Sequence, residues 1–373
     1  MRINELLNKK SLIVKNPNVF QLSFSPSEIL ERKESEEVMK QLASFIRYRV
    51  PTNTLIVGGV GTGKTVTLSY YQIQIKELNL EKPVDIYYIN CRDYDTSFKI
   101  YSALVKEDRA GIPKNLSLHK FLSKQKNDCI IILDEINLLR DQDILYSFSR
   151  PHEIDNDFKA SIDIILISNN IYWEENLEPP IRSSLQLRTI FYSNYTPEQL
   201  RKILEMRIKL GLNENVIDEA VMNYITAKTV KEKFGDARIA LNVLDFASRH
   251  ADEKGKSQIE ISDIDEIFDE AIKATERDYL NKVDIKDLMI LYSCFLSKSK
   301  RSKDIYMIYE KICNDQEMPS LKYMAFHLHL DYLQAHNLVT LYKLRRGKSF
   351  IKEVELKVTE ELVIKEYERR FVD

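Results

Sequence analysis

Gly58-Gly59-Val60-Gly61-Thr62-Gly63-Lys64-Thr65 lies between a short apolar stretch, residues 54–57, and a run with helical spacing, residues 64–78. Four of the chain's nine glycines fall within these few positions. A glycine-rich turn between a strand and a helix aims successive backbone N–H groups, here those of Gly59, Val60, Gly61, Thr62, Gly63 and Lys64, into the space ahead of the helix. The helix dipole favours an anion there. The spacing, with lysine and threonine closing the pattern, predicts a P-loop. Lys64 is expected to reach the β- and γ-phosphates of ATP or ADP, and the Thr65 hydroxyl to meet Mg²⁺.

Outward from this loop the chain alternates. Residues 34–49 have helical spacing, while residues 84–90 (VDIYYIN), 129–133 (CIIIL) and 162–167 (IDIILI) are short apolar runs. Such runs, separated by helical stretches, predict a parallel sheet with helices on both faces. Sheets of this kind bind ligands at the carboxyl ends of their strands. Asp134 and Glu135 stand at such an end. Asp134 is suited to hold Mg²⁺ through water, and Glu135 to orient or deprotonate an attacking water. An apolar strand running into an acidic loop is common, and only the upstream P-loop gives this one a chemical meaning. With both carboxylates present, hydrolysis is expected. Asn169, at the end of residues 162–167, has an amide that can hold the lytic water. Gly235-Asp236-Ala237-Arg238 opens a later helix, from which Arg238 is a candidate for the γ-phosphate.

From about residue 196 the strand signal stops. Helical spacing at 197–210, 216–233, 236–254 and 262–278 predicts a small all-α domain, its last helix beginning at Ser262 as N-cap. After about residue 283, helical stretches at 284–297, 303–314 and 320–336 precede two strand-like pieces, 338–344 and 350–358. A basic turn, Arg345-Arg346-Gly347-Lys348-Ser349, joins them. Three helices followed by a hairpin is the order of a winged helix-turn-helix. Residues 1–30 lack periodicity and are expected to wrap the first domain.

With 55 Lys and Arg against 57 Asp and Glu in 373 residues, bulk charge points to no nucleic acid, so any such binding must come from local patches. Cys91, Cys129, Cys294 and Cys313 form no CxxC pair, which predicts free thiols rather than a disulfide framework or zinc site. His327 and His329 are two apart, on different faces of a helix, and with His336 they predict no metal site. The start of the chain lacks the apolar stretch of a signal peptide. No run approaches the ~20 apolar residues of a membrane span, so a cytoplasmic protein without membrane contact is expected.

The order of these motifs resembles one family, the archaeal AAA+ initiator ATPases related to the origin recognition complex and its cell-division-cycle partner. Pro26-Ser27-Glu28-Ile29-Leu30-Glu31-Arg32 is similar to the family's opening motif, which implies Arg32 near the adenine. Tyr88-Ile89-Asn90-Cys91-Arg92 resembles its second strand. Ile181-Arg182-Ser183-Ser184-Leu185, then Asn194-Tyr195-Thr196-Pro197-Glu198-Gln199-Leu200 with Arg207, resembles its passage into the lid, and Gly235-Asp236-Ala237-Arg238-Ile239-Ala240-Leu241 is the most specific match. The resemblance implies an α/β P-loop AAA+ domain (1–195), an all-α lid (196–280) and a C-terminal winged helix-turn-helix (281–373). It further implies Asn169 and Arg238 as nucleotide sensors and Arg182 as a candidate arginine finger. The partners it implies are duplex DNA at a replication origin, the replicative helicase and other initiator paralogues. Two stretches depart from the family. The segment between Arg92 and Cys129 is short and not notably basic, with Lys99, Lys106 and Arg109 as its candidates, and the wing has a single glycine, Gly347.

Within the winged helix, Leu321, Met324, Phe326, Leu328, Leu330 and Leu333 mark apolar positions of helix 320–336. Lys322 and Tyr323 are the expected major-groove side chains, and Lys343, Arg345, Arg346 and Lys348 the expected wing contacts to phosphates or the minor groove. Lys298, Lys300, Arg301 and Lys303 form a second basic run. Three functions fit these features. One is an initiator with ATP as a slow switch, another a AAA+ or signalling NTPase acting on protein partners, and the third a plasmid or viral DNA-binding regulator whose ATP site is structural.

Overall fold

The computed structural model describes residues 11–21, 23–105, 114–336, 338–346 and 349–371. They form two compact units. The first comprises residues 25–59 and 63–193; the second comprises the described parts of 1–24, 60–62 and 194–373.

In the first unit, helix α1 (Lys33–Tyr48) leads to β1 (Thr54–Gly58) and α2 (Lys64–Glu77). After β2 (Val84–Asn90) come α3 (Ser97–Val105), α4 (Lys114–Lys124) and β3 (Asp128–Asp134). Then α5 (Asp143–Ser149), β4 (Ile162–Ser168), α6 (Pro179–Leu185) and β5 (Arg188–Tyr192) complete the unit. The five strands are all parallel, in the order β2-β3-β4-β1-β5. Alternation along the buried strands explains the two helical layers. Leu55, Val57, Ile131 and Leu133 face a core that includes Tyr101 and Phe121, whereas Ile56, Ile130, Ile132 and Ile165 face Val38, Phe45 and Leu68. The expected α/β class is therefore the one found.

Several elements carried no sequence signal. β5 is an edge strand whose exposed and buried residues mix, so it shows no apolar run. The segment between Arg92 and Cys129 contains α3 and α4, whose Ile100, Tyr101, Leu104, Leu118, Phe121 and Leu122 are buried. Lys99 pairs with Asp95 at 2.7 Å, while Lys106 and Arg109 lie outside the described residues.

The second unit holds α7 (Pro197–Gly211), α8 (Glu219–Lys233), α9 (Ala237–Glu253) and α10 (Ile261–Lys282). These are followed by α11 (Ile285–Leu296), α12 (Ser302–Asp315), α13 (Tyr323–Ala335), β6 (Val339–Arg346), β7 (Ser349–Leu356) and α14 (Glu360–Phe371). Ser262 is not the N-cap of α10. Glu260 is, its N–H donating to Asp263 Oδ2 at 2.9 Å in a capping box, so Ser262 sits inside the first turn. The lead-in also differs from expectation. Residues 11–24 belong to the second unit, because Val14 pairs with Leu212 and Phe20 lies against Gly211. There Ile13, Val19 and Phe20 bury almost completely.

α11–α12–α13–β6–β7 is the expected winged helix, closed by an unforeseen α14 whose Tyr367 ring stacks on Tyr292 of α11 with centroids 3.9 Å apart. The hairpin strands run further than expected. Arg346 pairs with Ser349, so Arg345 and Arg346 belong to β6 and only residues 347–348 connect the strands. Lys348 and Gly347 lie outside the described residues. Met324 and Leu328 also depart from the sequence expectation. They are 77 % and 55 % exposed and contribute nothing to the core that Phe326, Leu330 and Leu333 fill.

Candidate functional site

Parallel register brings the carboxyl ends of the strands together. Val57 aligns with Ser168, and Asn90 with Asp134. The loop after β1 leads into α2 through Gly63, which occupies the N-cap position with φ +85°. Only glycine adopts this left-handed conformation without steric cost. Lys64 is buried, and its ammonium donates to the carbonyls of Gly58 at 2.8 Å and Gly59 at 2.7 Å. It therefore lies folded back along the loop.

Thr65 and Asp134 meet directly. The Thr65 hydroxyl donates to Asp134 Oδ2 at 2.8 Å. Tyr88 of β2 donates to the same oxygen at 2.5 Å, and the Glu135 N–H donates to Oδ1 at 2.8 Å. Burial pushes the Asp134 carboxyl above its ordinary range, and the donors from Tyr88, Thr65 and Glu135 pull it back. A buried carboxylate facing a threonine hydroxyl is a set of hard oxygen donors that fits Mg²⁺. The sequence motif containing Tyr88 assigns that tyrosine no role. Its alternation with Asn90 on β2, beside the end of β3, is the signal that could have found it.

Glu135 adopts φ +53°, ψ +42°, a left-handed conformation that costs a non-glycine residue about 1–2 kcal/mol. Its carboxylate is clasped by Arg92, with Nη2 at 2.7 Å and Nε at 3.1 Å from Oε2. The side chain expected to activate water is therefore held by a guanidinium, a partner that sequence reasoning did not assign. Arg92 is itself turned by its N–H donating to Asn90 Oδ1 at 2.8 Å.

At the end of β4, Ser168 Oγ accepts from the Asn170 N–H, and Asn170 Oδ1 accepts from the Tyr172 N–H at 2.9 Å. Those bonds commit Asn170 to the turn. The backbone N–H of Asn169 donates to Asn137 Oδ1 at 3.4 Å, and its side-chain amide makes no hydrogen bond among the described residues. Arg32 is buried; its guanidinium lies 4.6 Å from the Tyr192 ring and donates to the Ser193 carbonyl at 3.1 Å. Arg182 on α6 is half exposed and pairs with Glu174 at 3.3 Å.

Within the second unit, residues 60–62 from the tip of the P-loop pack with the start of α9. The Ala237 N–H donates to the Gly61 carbonyl at 3.3 Å. Gly61 has φ +74°, and a side chain there would collide with the Asp236 carboxylate. Asp236 caps α9 through the Arg238 N–H at 2.9 Å and accepts from Tyr279 at 2.9 Å. Burial pushes its carboxyl up, opposed by Arg238. Arg238 thus sits one residue from the contact with the loop tip, its guanidinium 5.6 Å from the Tyr279 ring.

On the winged helix, Lys322 is exposed at the N-cap position of α13, and Tyr323 packs edge-on against Tyr306. Lys343, Arg345 and Arg346 lie in β6. His329 is committed to the buried Asp287 at 2.7 Å, with Asp284 nearby.

Comparison with known proteins finds relatives along the whole chain. Residues 201–268 match the model of the Cdc6 AAA+ ATPase-type lid domain. An ORC1-type DNA replication protein of Thermococcus onnurineus is 29 % identical over 374 residues, covering 93 % of this chain and 89 % of the relative. The Aeropyrum pernix ORC1 protein, solved in complex with DNA, superposes with a TM-score of 0.72 at 24 % identity, covering 98 % of this chain and 99 % of that one. The Aeropyrum pernix ORC2 protein, solved as ADPNP-ADP complexes, gives 0.62 at 20 % identity, with 97 % and 100 % covered. The lid match falls on α7–α10, and the likeness in sequence runs through both units. Along both units the chain is thus similar to archaeal ORC1-type DNA replication proteins, and over residues 201–268 to the lid of a Cdc6-type AAA+ ATPase.

Proposed function

We propose that this protein is an ATP-dependent replication initiator that binds duplex DNA at an origin and helps load the replicative helicase in the cytoplasm, with ATP as a slow switch. The observation that carries the reading is one chain holding a P-loop, an Asp134–Glu135 pair and a winged helix-turn-helix. The relatives support it, being named DNA replication proteins or solved with DNA. The three segments 1–195, 196–280 and 281–373 are proposed as its nucleotide-binding, lid and DNA-binding parts, and other initiator paralogues as co-occupants of the origin.

In this reading the N–H groups of Gly59, Val60, Gly61, Thr62 and Gly63, with Lys64, hold the ATP phosphates, and Arg32 lies on the adenine side. Thr65 and Asp134 would hold Mg²⁺, which when bound neutralises phosphate charge. Glu135 takes the proton of the attacking water that Asn169 orients, once Arg92 releases its carboxylate. Arg238 contacts the γ-phosphate, and the half-exposed Arg182 serves a neighbouring protomer as arginine finger. Lys322 and Tyr323 approach the major groove, while Lys343, Arg345, Arg346 and Lys348 contact phosphates or the minor groove.

Titration of labelled duplex at several salt concentrations, with ATP present, tests the reading. Replacing Arg345, Arg346 and Lys348 by alanine should flatten the plot of log K against log salt by roughly 0.9 for each phosphate no longer neutralised. Absence of duplex binding by the unmutated protein at low salt would leave an ATPase acting on protein partners.

A further inference from the structure

We propose that the outward face of α13 selects thymine-bearing duplex by apolar contact of Met324 and Leu328 with the 5-methyl groups in the major groove. This rests on the duplex-binding function proposed above and names what its recognition helix reads.

The two residues are four apart and lie one turn above the other on a helix. Phe326, Leu330 and Leu333 occupy the opposite face and are fully buried, so the orientation of α13 is set by its core and leaves Met324 and Leu328 outside. A large apolar pair standing in water contributes nothing to folding.

The polar side chains of α13 do not supply a bidentate base-reading set, and Tyr323 and His327 pack edge to face with ring centroids 4.6 Å apart. Arginine for guanine and asparagine or glutamine for adenine are the side chains that pair bidentately with base edges. Gln334 accepts from the Leu341 N–H at 2.7 Å, and His329 is held by Asp287. Asp331, one turn on from Leu328 in the same helix, is paired with Lys352 at 3.3 Å. What the face offers is a flexible thioether and a branched alkyl group, and the chemical feature of a base pair that such groups distinguish is the thymine methyl.

Charge decides the occupant. Lys322 at the head of α13, Lys298, Lys300 and Arg301 ahead of α12 and Lys303 in its first turn are all exposed. Exposed cations on the same winged helix as an apolar helix face complement a polyanion that carries methyl groups, which describes the major groove of A·T-rich DNA.

Replacing thymine by uracil removes the methyl and leaves charge and Watson–Crick edges unchanged. Burying one such carbon is worth roughly fourfold in affinity, so two buried methyls predict on the order of a tenfold difference. The experiment compares short duplexes of alternating adenine and thymine with the same duplexes carrying uracil. A second pair sets guanine–cytosine duplex against its 5-methylcytosine form, which adds a methyl at the same groove position. The unmutated protein should bind the methylated member of each pair more tightly. The double variant Met324→Ala, Leu328→Ala should bind both members equally, with an unchanged salt slope and thermal midpoint. Equal binding of thymine and uracil duplexes by the unmutated protein would overturn the inference while leaving the initiator function standing. So would a double variant that keeps the discrimination, which would assign this face to something other than DNA. Failure to bind any of the duplexes at low salt would instead remove the initiator function and this inference with it.

Discussion

Removing the Arg92 guanidinium should accelerate ATP hydrolysis, because in this structure it occupies the carboxylate that water activation requires. Two donors reach Glu135 Oε2, at 2.7 and 3.1 Å, and the two side chains are 25 % and 23 % exposed. A charge-assisted hydrogen bond is worth ~1.5–3 kcal/mol when shielded from water, and an exposed ion pair ~0–1. A pair one quarter exposed falls between, at about 1–2 kcal/mol. If Glu135 must leave Arg92 before it serves the water, that energy is part of the barrier, and Arg92→Ala should raise the hydrolytic rate roughly 5- to 30-fold. Single-turnover hydrolysis with protein in excess over labelled ATP isolates this step from ADP release. The double variant Arg92→Ala, Glu135→Gln should be inactive, which assigns the gain to Glu135. An unchanged or slower rate in Arg92→Ala, at unchanged ATP affinity, would refute the restraint and make Arg92 a group that positions Glu135 for the reaction.

Glu135→Gln alone should bind ATP normally in equilibrium dialysis while nearly abolishing turnover, and Lys64→Ala should instead weaken binding itself. Arg238→Ala should lower ATP affinity on the order of ten- to a hundredfold and leave ADP affinity nearly unchanged, as isothermal titration of both nucleotides would reveal. Asp163 is buried in β4, where its carboxylate accepts the N–H groups of Thr52 at 2.7 Å and Asn53 at 3.1 Å, yet burial raises its pKa to about 6. The folded-state value lies above the unfolded one, so its stabilising contribution is full below the ordinary carboxylate range and lost as pH rises through about 6. Relative to the parent, Asp163→Asn should therefore gain up to about 3 kcal/mol between pH 4 and pH 7 in denaturant unfolding. A pH-independent difference would exclude this role for Asp163.

Legibility followed the strength of the local signal. β1 and β4 are buried throughout and β3 from its second residue on, so their sequences are mostly apolar runs, and the segments that follow them offered Thr65, Asp134, Glu135 and Asn169 as candidates. The edge strand β5 and the charged helix α14 had no such run; α14 buries Leu362, Val363 and Tyr367 on one stripe beneath a surface of Glu, Lys and Arg. Tyr88 and Arg92 were hidden for another reason. Their contacts to Asp134 and Glu135 span 46 and 43 residues of chain, and the pairing of β2 with β3 brings them together. Met324 and Leu328 read as core in the sequence because they are large and apolar at helical spacing, although apolar atoms make up more than half of a folded surface.

The most direct test of an initiator is where it sits on the genome. Cross-linking in cells followed by sequencing of the DNA recovered with the unmutated protein should give reads concentrated at one or a few loci. These should coincide with the first DNA to be copied and become depleted in the Arg345, Arg346, Lys348 triple-alanine variant. Reads spread evenly over the genome, or no DNA recovered above an uncross-linked control, would contradict an origin-binding role.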